Sequence, residues 1–334
     1  MDVSIVFVNY KTEALLFDCF RSIHEYTSGI NFECIVVDNH FIPGQNQAIL
    51  HEYPNTSWID SGGNVGFSKA NNIGLKAAKG EYILFLNADT LLIDNAIAQA
   101  WNHLKNDAHL VALGGIQLDK NREPIPYYRT LNDVRRDFYI VPNRPLFHQL
   151  IDRLLPEQRF SQPEETNNLV GAFLMASRAN LLNIKGWDED FFMYAEDAEL
   201  SYRLSKMGRL AYFEDVKFIH LIQENPFRRT NYSWVNRFAM QIQVSNLLWI
   251  RKSYGILPFV IIYANYTILA PLFWVWKICL NIIKGKNLLD DTKNQRIFSQ
   301  KLSILYRYFF SILFLKKGPY CIKPEENIDQ VNKS

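Results

Sequence analysis

The 334-residue sequence has little cysteine, and its four cysteines (Cys19, Cys34, Cys279 and Cys321) form no CxxC or other metal-ligand spacing. That excludes a zinc-finger or disulfide framework and suits a reducing compartment. A basic, then apolar leader is lacking too, because Met1-Asp2-Val3-Ser4 runs straight into a strand pattern, so the globular part is expected in the cytosol. Nor is there a P-loop: the glycine-rich turn Ser61-Gly62-Gly63-Asn64-Val65-Gly66-Phe67 is followed by no Lys-Ser or Lys-Thr, which sets aside a Walker-type ATPase. Net charge is only +2, yet 48% of residues are hydrophobic, enough for a sizeable core and too many for a disordered chain.

The small net charge conceals a division. Up to residue 235 there are 22 Lys and Arg against 29 Asp and Glu; beyond it there are 14 against 5. An acidic body therefore carries a basic tail. The expected organisation is an α/β catalytic domain over 1–235, with an irregular insertion at 119–165, and a basic, apolar helical region over 236–334.

The body is organised around Tyr82 to Thr90, an apolar run that ends in Asn87-Ala88-Asp89. Such a run reads as a strand buried on both faces, and in an open α/β sheet the ligand lies beyond the carboxyl ends of the strands. Asn87 and Asp89 there suit a hard divalent cation carrying phosphate, or else they cap the helix that starts near Asp94. Val3–Tyr10, a helix over Glu13–Tyr26 and Phe32–Asn39 give the strand, helix, strand unit of a parallel sheet. Asp38 falls at a strand end, where it either hydrogen-bonds a base or ribose or caps the next turn.

A short strand is expected at Ser57–Asp60, then the glycine turn and a helix over Ser68–Lys79. Glycines before a helix N-terminus either admit a phosphate or simply make a tight turn. A helix over Asn95–Lys105 and a strand over Leu110–Leu118 follow. Six prolines between Pro124 and Pro163 mark the insertion as an extended or loosely helical excursion, suited to acceptor contacts or a lid. Asn168–Ser177 reads as a strand, and Glu196 and Asp197 fall in the first turn of a helix of about 12 residues, judged from the 3.6-residue repeat of Leu200, Leu204 and Met207. Acids there satisfy the helix dipole or make a general base. His220, ending a strand-like run, is either structural or a metal ligand opposite Asn87 and Asp89.

Together these motifs resemble glycosyltransferase family 2, most closely its bacterial branch adding rhamnose or similar sugars to cell-surface polysaccharides. The resemblance rests on Val8-Asn9-Tyr10, Val36-Val37-Asp38-Asn39, Gly63-Asn64-Val65-Gly66-Phe67 with Asn71-Asn72, Leu86-Asn87-Ala88-Asp89, Val170-Gly171-Ala172-Phe173, Gly186-Trp187-Asp188-Glu189 and Phe192-Met193-Tyr194-Ala195-Glu196-Asp197. It implies a GT-A fold, a Rossmann-like, mostly parallel sheet flanked by helices, and inverting transfer from a nucleotide-sugar donor, TDP- or UDP-linked. It also implies roles: Asp197 as base with Glu196 in support; Asn9, Tyr10, Asp38, Asn39, Asn64, Gly66, Asn72 and Asn87 toward the nucleotide; Asp89 and His220 toward Mg²⁺ or Mn²⁺. Asn87 stands where the family has the first acid of Asp-x-Asp, and His40-Phe41-Ile42-Pro43 replaces the usual small residues after Asp38-Asn39. The competing readings are a sugar-nucleotide-forming nucleotidyltransferase, whose Gly-rich signature after the first strand is replaced by Asn9-Tyr10-Lys11-Thr12, and a non-catalytic nucleotide-sugar or lipid binder.

In the tail, Ile256–Ile283 and Leu302–Leu315 are apolar runs flanked by Arg251, Lys252, Lys284, Lys286, Lys301, Lys316 and Lys317 and studded with Tyr and Trp. This predicts helices lying in the cytoplasmic leaflet of the cell membrane, with a true span or a buried bundle of a homo-oligomer as alternatives. Basic residues at the ends of apolar runs argue against nucleic acid. A membrane-bound tail suits a lipid-linked saccharide acceptor.

Overall fold

Continuous apolar runs become strands that bury alternate residues on opposite faces of one sheet. The computed structural model describes residues 1–141, 144–221, 239–318, 320–323 and 326. The division expected at 235, Pro142 and Ile222 lie outside the described residues.

In chain order the elements are β1 (Val3–Asn9), α1 (Glu13–Tyr26), β2 (Phe32–Asp38), α2 (Gln47–Glu52), β3 (Thr56–Asp60), α3 (Phe67–Ala77), β4 (Tyr82–Leu86), β5 (Thr90–Leu92), α4 (Ala96–Asn106) and β6 (Leu110–Leu118). There follow α5 (Leu131–Arg136), α6 (Pro145–Leu154), β7 (Glu165–Thr166), β8 (Phe173–Ser177), α7 (Arg178–Asn183), α8 (Glu196–Leu204), β9 (Arg209–His220), α9 (Met240–Tyr254), α10 (Ile256–Ile283) and α11 (Lys293–Leu313). They form two compact units. The first holds Met1–Leu131, Gln158–Phe192 and Glu196–Gln223; the second holds Asn132–Glu157, Met193–Ala195 and Glu224–Ser334.

The first unit is built on a nine-stranded sheet in the order β3-β2-β1-β4-β8-β6-β9-β5, with β7 beside β9. β1, β2, β3 and β4 are mutually parallel, β8 runs against β4 and β6, and β6 and β9 are parallel. Most strands thus point one way. The chain steps from β1 outward to β3 and returns on the far side of β1 with β4, which puts a topological switch point at the carboxyl ends of β1 and β4. Val3, Ile5, Phe7, Cys34, Val36, Leu84 and Leu86 bury one face of the sheet with α1, α2 and α4. Val6, Ile35, Ile83 and Phe85 bury the other with α3, α7 and α8. This two-residue alternation, apolar on both sides, is what a sheet covered by helices on both faces requires.

The main differences from the sequence reading have local causes. β5 intervenes after Asp89, and the N-cap of α4 is Asn95, so neither Asn87 nor Asp89 caps that helix. α8 is nine residues long, because Ser205–Met207 close it in turns. Within 119–165, read as an extended or loosely helical excursion, the helical parts are α5 and α6, and Pro145 occupies the first turn of α6, where its missing N–H costs no bond.

In the second unit α10 packs on α11 through Tyr263, whose hydroxyl donates to the Leu305 carbonyl at 2.8 Å, and Trp274, whose indole donates to Ser299 at 3.0 Å, and on α9 through Tyr266, whose hydroxyl accepts from Gln243 Nε2 at 2.5 Å. The 132–157 stretch belongs to this unit: Asn265 exchanges 3.3 Å hydrogen bonds with both backbone groups of Ile140. α11 starts well before Leu302, because its polar first half is helical as well.

Candidate functional site

The motifs meet at the carboxyl edge of the first unit. Asn9 and Asp38 are register partners, as are Asp38 and Asp60. The Asn39 amide donates to the Asn9 carbonyl at 2.8 Å, and its side chain reaches the Gly66 carbonyl at 3.3 Å. Gly66, at φ 87°, lies so close under Phe192 that a Cβ would stand 2.7 Å from the Phe192 carbonyl, which accepts from the Phe67 amide. Glycine is needed there for both conformation and space. On the other side of the edge the Asn87 amide donates to Ala172 at 3.0 Å, and the amide of the preceding Gly171 donates to Asp197 Oδ2 at 3.2 Å. The Gly171-Ala172 dipeptide segment thus links the end of β4 to the start of α8 through two separate backbone groups.

The residues expected toward the nucleotide divide into two groups. Tyr10 is exposed and meets the His40 ring edge-on, centroids 5.8 Å apart. Asn64 is exposed and its side chain accepts the Gly66 amide. Asp38 is fully buried, and its carboxylate accepts the His40 amide (2.9 Å), Gln45 Nε2 (2.7 Å) and Trp58 Nε1 (3.1 Å). The capping role left open by the sequence is therefore present. Asn9 turns its side chain back on the start of α1, donating to Glu13 and accepting from Thr12. Asn72 donates to the Trp187 carbonyl (2.8 Å) and Glu189 (3.0 Å) and accepts the Trp187 amide (2.9 Å), so its side-chain amide is engaged in holding the 186–189 turn.

Asp89 and His220 do converge. Thr90 pairs with His220 across β5 and β9, and His220 Nε2 faces Asp89 Oδ1 at 3.3 Å. On its far side the imidazole bonds through Nδ1 to Gln117 Oε1 at 2.7 Å. With Nδ1 donating to that oxygen, a neutral ring leaves the Nε2 lone pair opposite a carboxylate oxygen. Two electron-pair donors so placed are satisfied by one shared cation, a proton or a metal. The donor set of one carboxylate oxygen and one imidazole nitrogen fits a hard or borderline divalent cation such as Mg²⁺ or Mn²⁺.

Glu196 and Asp197 open α8 directly after Tyr194 and Ala195, both in the left-handed region at φ 70° and 62°. Asp197 also accepts the Ala198 amide at 2.8 Å. Burial pushes both carboxyls up: Glu196 to about 8 through desolvation and then its neighbour Asp197, and Asp197 above its ordinary value through desolvation, opposed by its backbone donors. Glu196 Oε2 has no hydrogen-bond partner among the described residues. Arg203 fixes the helix by pairing with Glu199 at 2.5 Å and donating to the carbonyls of Ile184 and Gly186.

Gln117 and Gln45 carry no signal in the sequence. Gln117 follows apolar Ile116 in a strand, and Gln45 sits in a loop; no spacing marks either. Gly171, whose amide reaches the candidate base, was present in the Val-Gly-Ala-Phe motif.

Comparison with known proteins places this geometry. Residues 4–178, more than half the chain, match the family model described as glycosyl transferase family 2; Glu196, Asp197 and His220 lie beyond the match. The low-salt glycan biosynthesis hexosyltransferase of Haloferax volcanii is 29% identical over 212 residues, 60% of this chain and 61% of that protein. The N-acetylglucosaminyl-diphospho-decaprenol L-rhamnosyltransferase of Mycobacterium tuberculosis is 26% identical over 207 residues, 56% of this chain and 65% of that one. The matched stretch is therefore less than two thirds of either relative. The solved mannosyltransferase from Pyrobaculum calidifontis, in complex with GDP-Man and Mn²⁺, superposes with a TM-score of 0.52 at 17% identity, covering 94% of this chain and 88% of that chain. At that identity the likeness is one of fold.

Proposed function

Because the chain belongs to glycosyl transferase family 2 and has its GT-A fold, we propose that it moves rhamnose or a similar hexose from a TDP- or UDP-linked donor to a hydroxyl of a lipid-linked saccharide, with inversion, in cell-surface polysaccharide synthesis. The observation that carries the reading is the Gly171-Ala172 segment, whose Gly171 amide donates to Asp197 and whose Ala172 carbonyl accepts from Asn87, which brings the end of β4 and the candidate base to one edge.

Asp197 takes the proton of the acceptor hydroxyl as that oxygen bonds to the anomeric carbon. The bond from that carbon to the nucleoside diphosphate breaks on the opposite face, and its electron pair leaves with the diphosphate. Asp89 and His220 would hold the divalent cation, which when bound neutralises charge on the departing diphosphate. Tyr10 offers the base an aromatic face. Asp38 uses three of the roughly four acceptor positions of a carboxylate, leaving one for a base or ribose donor. Family membership weighs against nucleotidyl transfer, and the ordered carboxylate pair against a non-catalytic binder.

The second unit would hold the enzyme on the cytoplasmic face of the membrane. α10 is the one helix among the described residues long and apolar enough to cross a bilayer. One side of it is packed by α9 and α11, while Leu257, Ile268, Trp276 and Ile283 on the other are 60–79% exposed. A helix half committed to protein is better suited to lying in a leaflet than to spanning it. The mycobacterial relative, named for a diphospho-decaprenol saccharide, supports a lipid-linked acceptor.

Release of nucleotide from a panel of TDP-, UDP- and GDP-sugars, with a lipid-linked saccharide and Mg²⁺, Mn²⁺ or chelator, tests this reading. Metal-dependent release from a TDP- or UDP-sugar, coupled to elongation of the acceptor, is expected; binding and turnover of none would sink it. The metal corner has its own test. Gln117→Leu removes the partner that fixes the His220 ring, and Mn²⁺ affinity measured by calorimetry should fall about 10–100-fold. Unchanged affinity would show that the Gln117 bond does not position a metal-binding His220.

A further inference from the structure

We infer that α6 is a second membrane contact, an amphipathic helix lying in the plane of an anionic bilayer surface; the inference rests on the reading that the second unit docks on a membrane. Leu146, Phe147, Leu150 and Leu154 fall within about 100° of arc on a helix of 3.6 residues per turn. Such a stripe ordinarily faces a core. Here it faces outward: the four side chains are 72, 40, 50 and 59% exposed, and only Ile151 at the margin of the stripe, with Leu155 just beyond the helix, is buried. α6 is nonetheless held to its own unit, because Arg136 pairs with Asp152 at 2.5 Å and Asn132 donates to the Pro156 carbonyl at 2.9 Å.

Charge selects the occupant. The exposed Arg153 borders the apolar arc, and the exposed Arg144 stands at the N-cap. Asp152, the only acid of the helix, lies on the opposite side with Arg136. An apolar face rimmed by cations complements anionic headgroups, over which arginine extends while its stem remains among the chains. A second copy of the same face would meet it with the same cations. The same unit supplies the outward face of α10, and Lys284, Lys316 and Lys317 follow the ends of α10 and α11 with further positive charge, while Lys286 pairs with Asp291.

The test is flotation of the full-length enzyme with phosphatidylcholine vesicles, with and without phosphatidylglycerol. Wild type should float with the mixed vesicles, and Leu146→Glu/Leu150→Glu should weaken that binding at least about tenfold. The control His148→Glu/Gln149→Glu adds the same charge on the polar side and should change binding less than about twofold by the same measure. Both pairs are exposed, and an unchanged thermal melt verifies that they fold. Equal flotation of wild type and the leucine variant would overturn the role of α6 while leaving membrane docking in place. Failure of wild type to float with either vesicle would overturn both. A leucine variant that turns a dimer into a monomer on sizing, with flotation unchanged, would assign the stripe to a second copy and overturn the inference.

Discussion

Asp197→Asn is expected to lower kcat by about 10²–10⁴-fold, the usual contribution of a general base, while leaving donor affinity within a few-fold. The amide retains the shape of the carboxyl but cannot take a proton from the acceptor. Glu196→Gln should behave quite differently. Burial and the neighbouring Asp197 push Glu196 up to about 8, so at neutral pH it is already uncharged, and glutamine reproduces that form. Most activity should survive at pH 7, with the acid limb of the wild-type rate profile lying above the ordinary carboxylate range, because burial raises Asp197 as well. The same buried carboxyl bears on stability. As pH rises from 4.5 towards about 8 the unfolded chain releases the Glu196 proton while the folded chain keeps it. The native state then binds more protons, so this group's contribution to stability falls as pH rises through that window. Melting temperatures of wild type and Glu196→Gln across it should converge at the acid end and diverge at the alkaline end. Equal losses of activity in the two variants would refute the assignment of Asp197 as base.

Trp187→Ala should cost about 3–5 kcal/mol, the range for truncating a buried tryptophan, out of a total of about 5–15 kcal/mol for a typical domain. The indole is 1% exposed and packs edge-on against Phe67 (5.6 Å) and Phe85 (5.0 Å). It therefore touches the first residue of α3 and the middle of β4, and Asn72 holds its backbone through both amide and carbonyl. Truncation opens a cavity beneath the turn that leads to α8. Urea unfolding should show the loss, and Trp187→Phe should recover part of it. A midpoint within experimental scatter of wild type would mean that the ring does not bind these elements together.

How much was legible in the sequence depended on how local the determinant was. The runs over Val3–Asn9, Phe32–Asp38 and Tyr82–Leu86 declared themselves through continuous apolar residues, and Glu196 and Asp197 could be placed in a first helical turn from the spacing of Leu200 and Leu204. α6 carried helical spacing in Leu146, Leu150 and Leu154, but the prolines around it pointed to irregular chain, and its apolar face had no partner by which to judge it. Asp38 shows the other limit. Its position at a strand end was readable, whereas Gln45 and Trp58, the side chains that occupy its carboxylate, are brought in by separate elements. Asn72 follows the glycine motif in the chain, whereas the fold turns its side chain toward Trp187, far along the sequence.

The pairing of β5 with β9 sets a condition on synthesis of the protein. Strands β1 to β4 are close in sequence and can assemble on a chain that is still emerging. Asp89 is made early, yet the imidazole opposite it arrives only when translation has passed His220 and β9 has threaded in beside β6. A chain ended before β9 thus has strands β1 to β4 but lacks the strand that brings His220 opposite Asp89. On the proposed reading, the pair that would hold the cation is complete only when the first unit is whole.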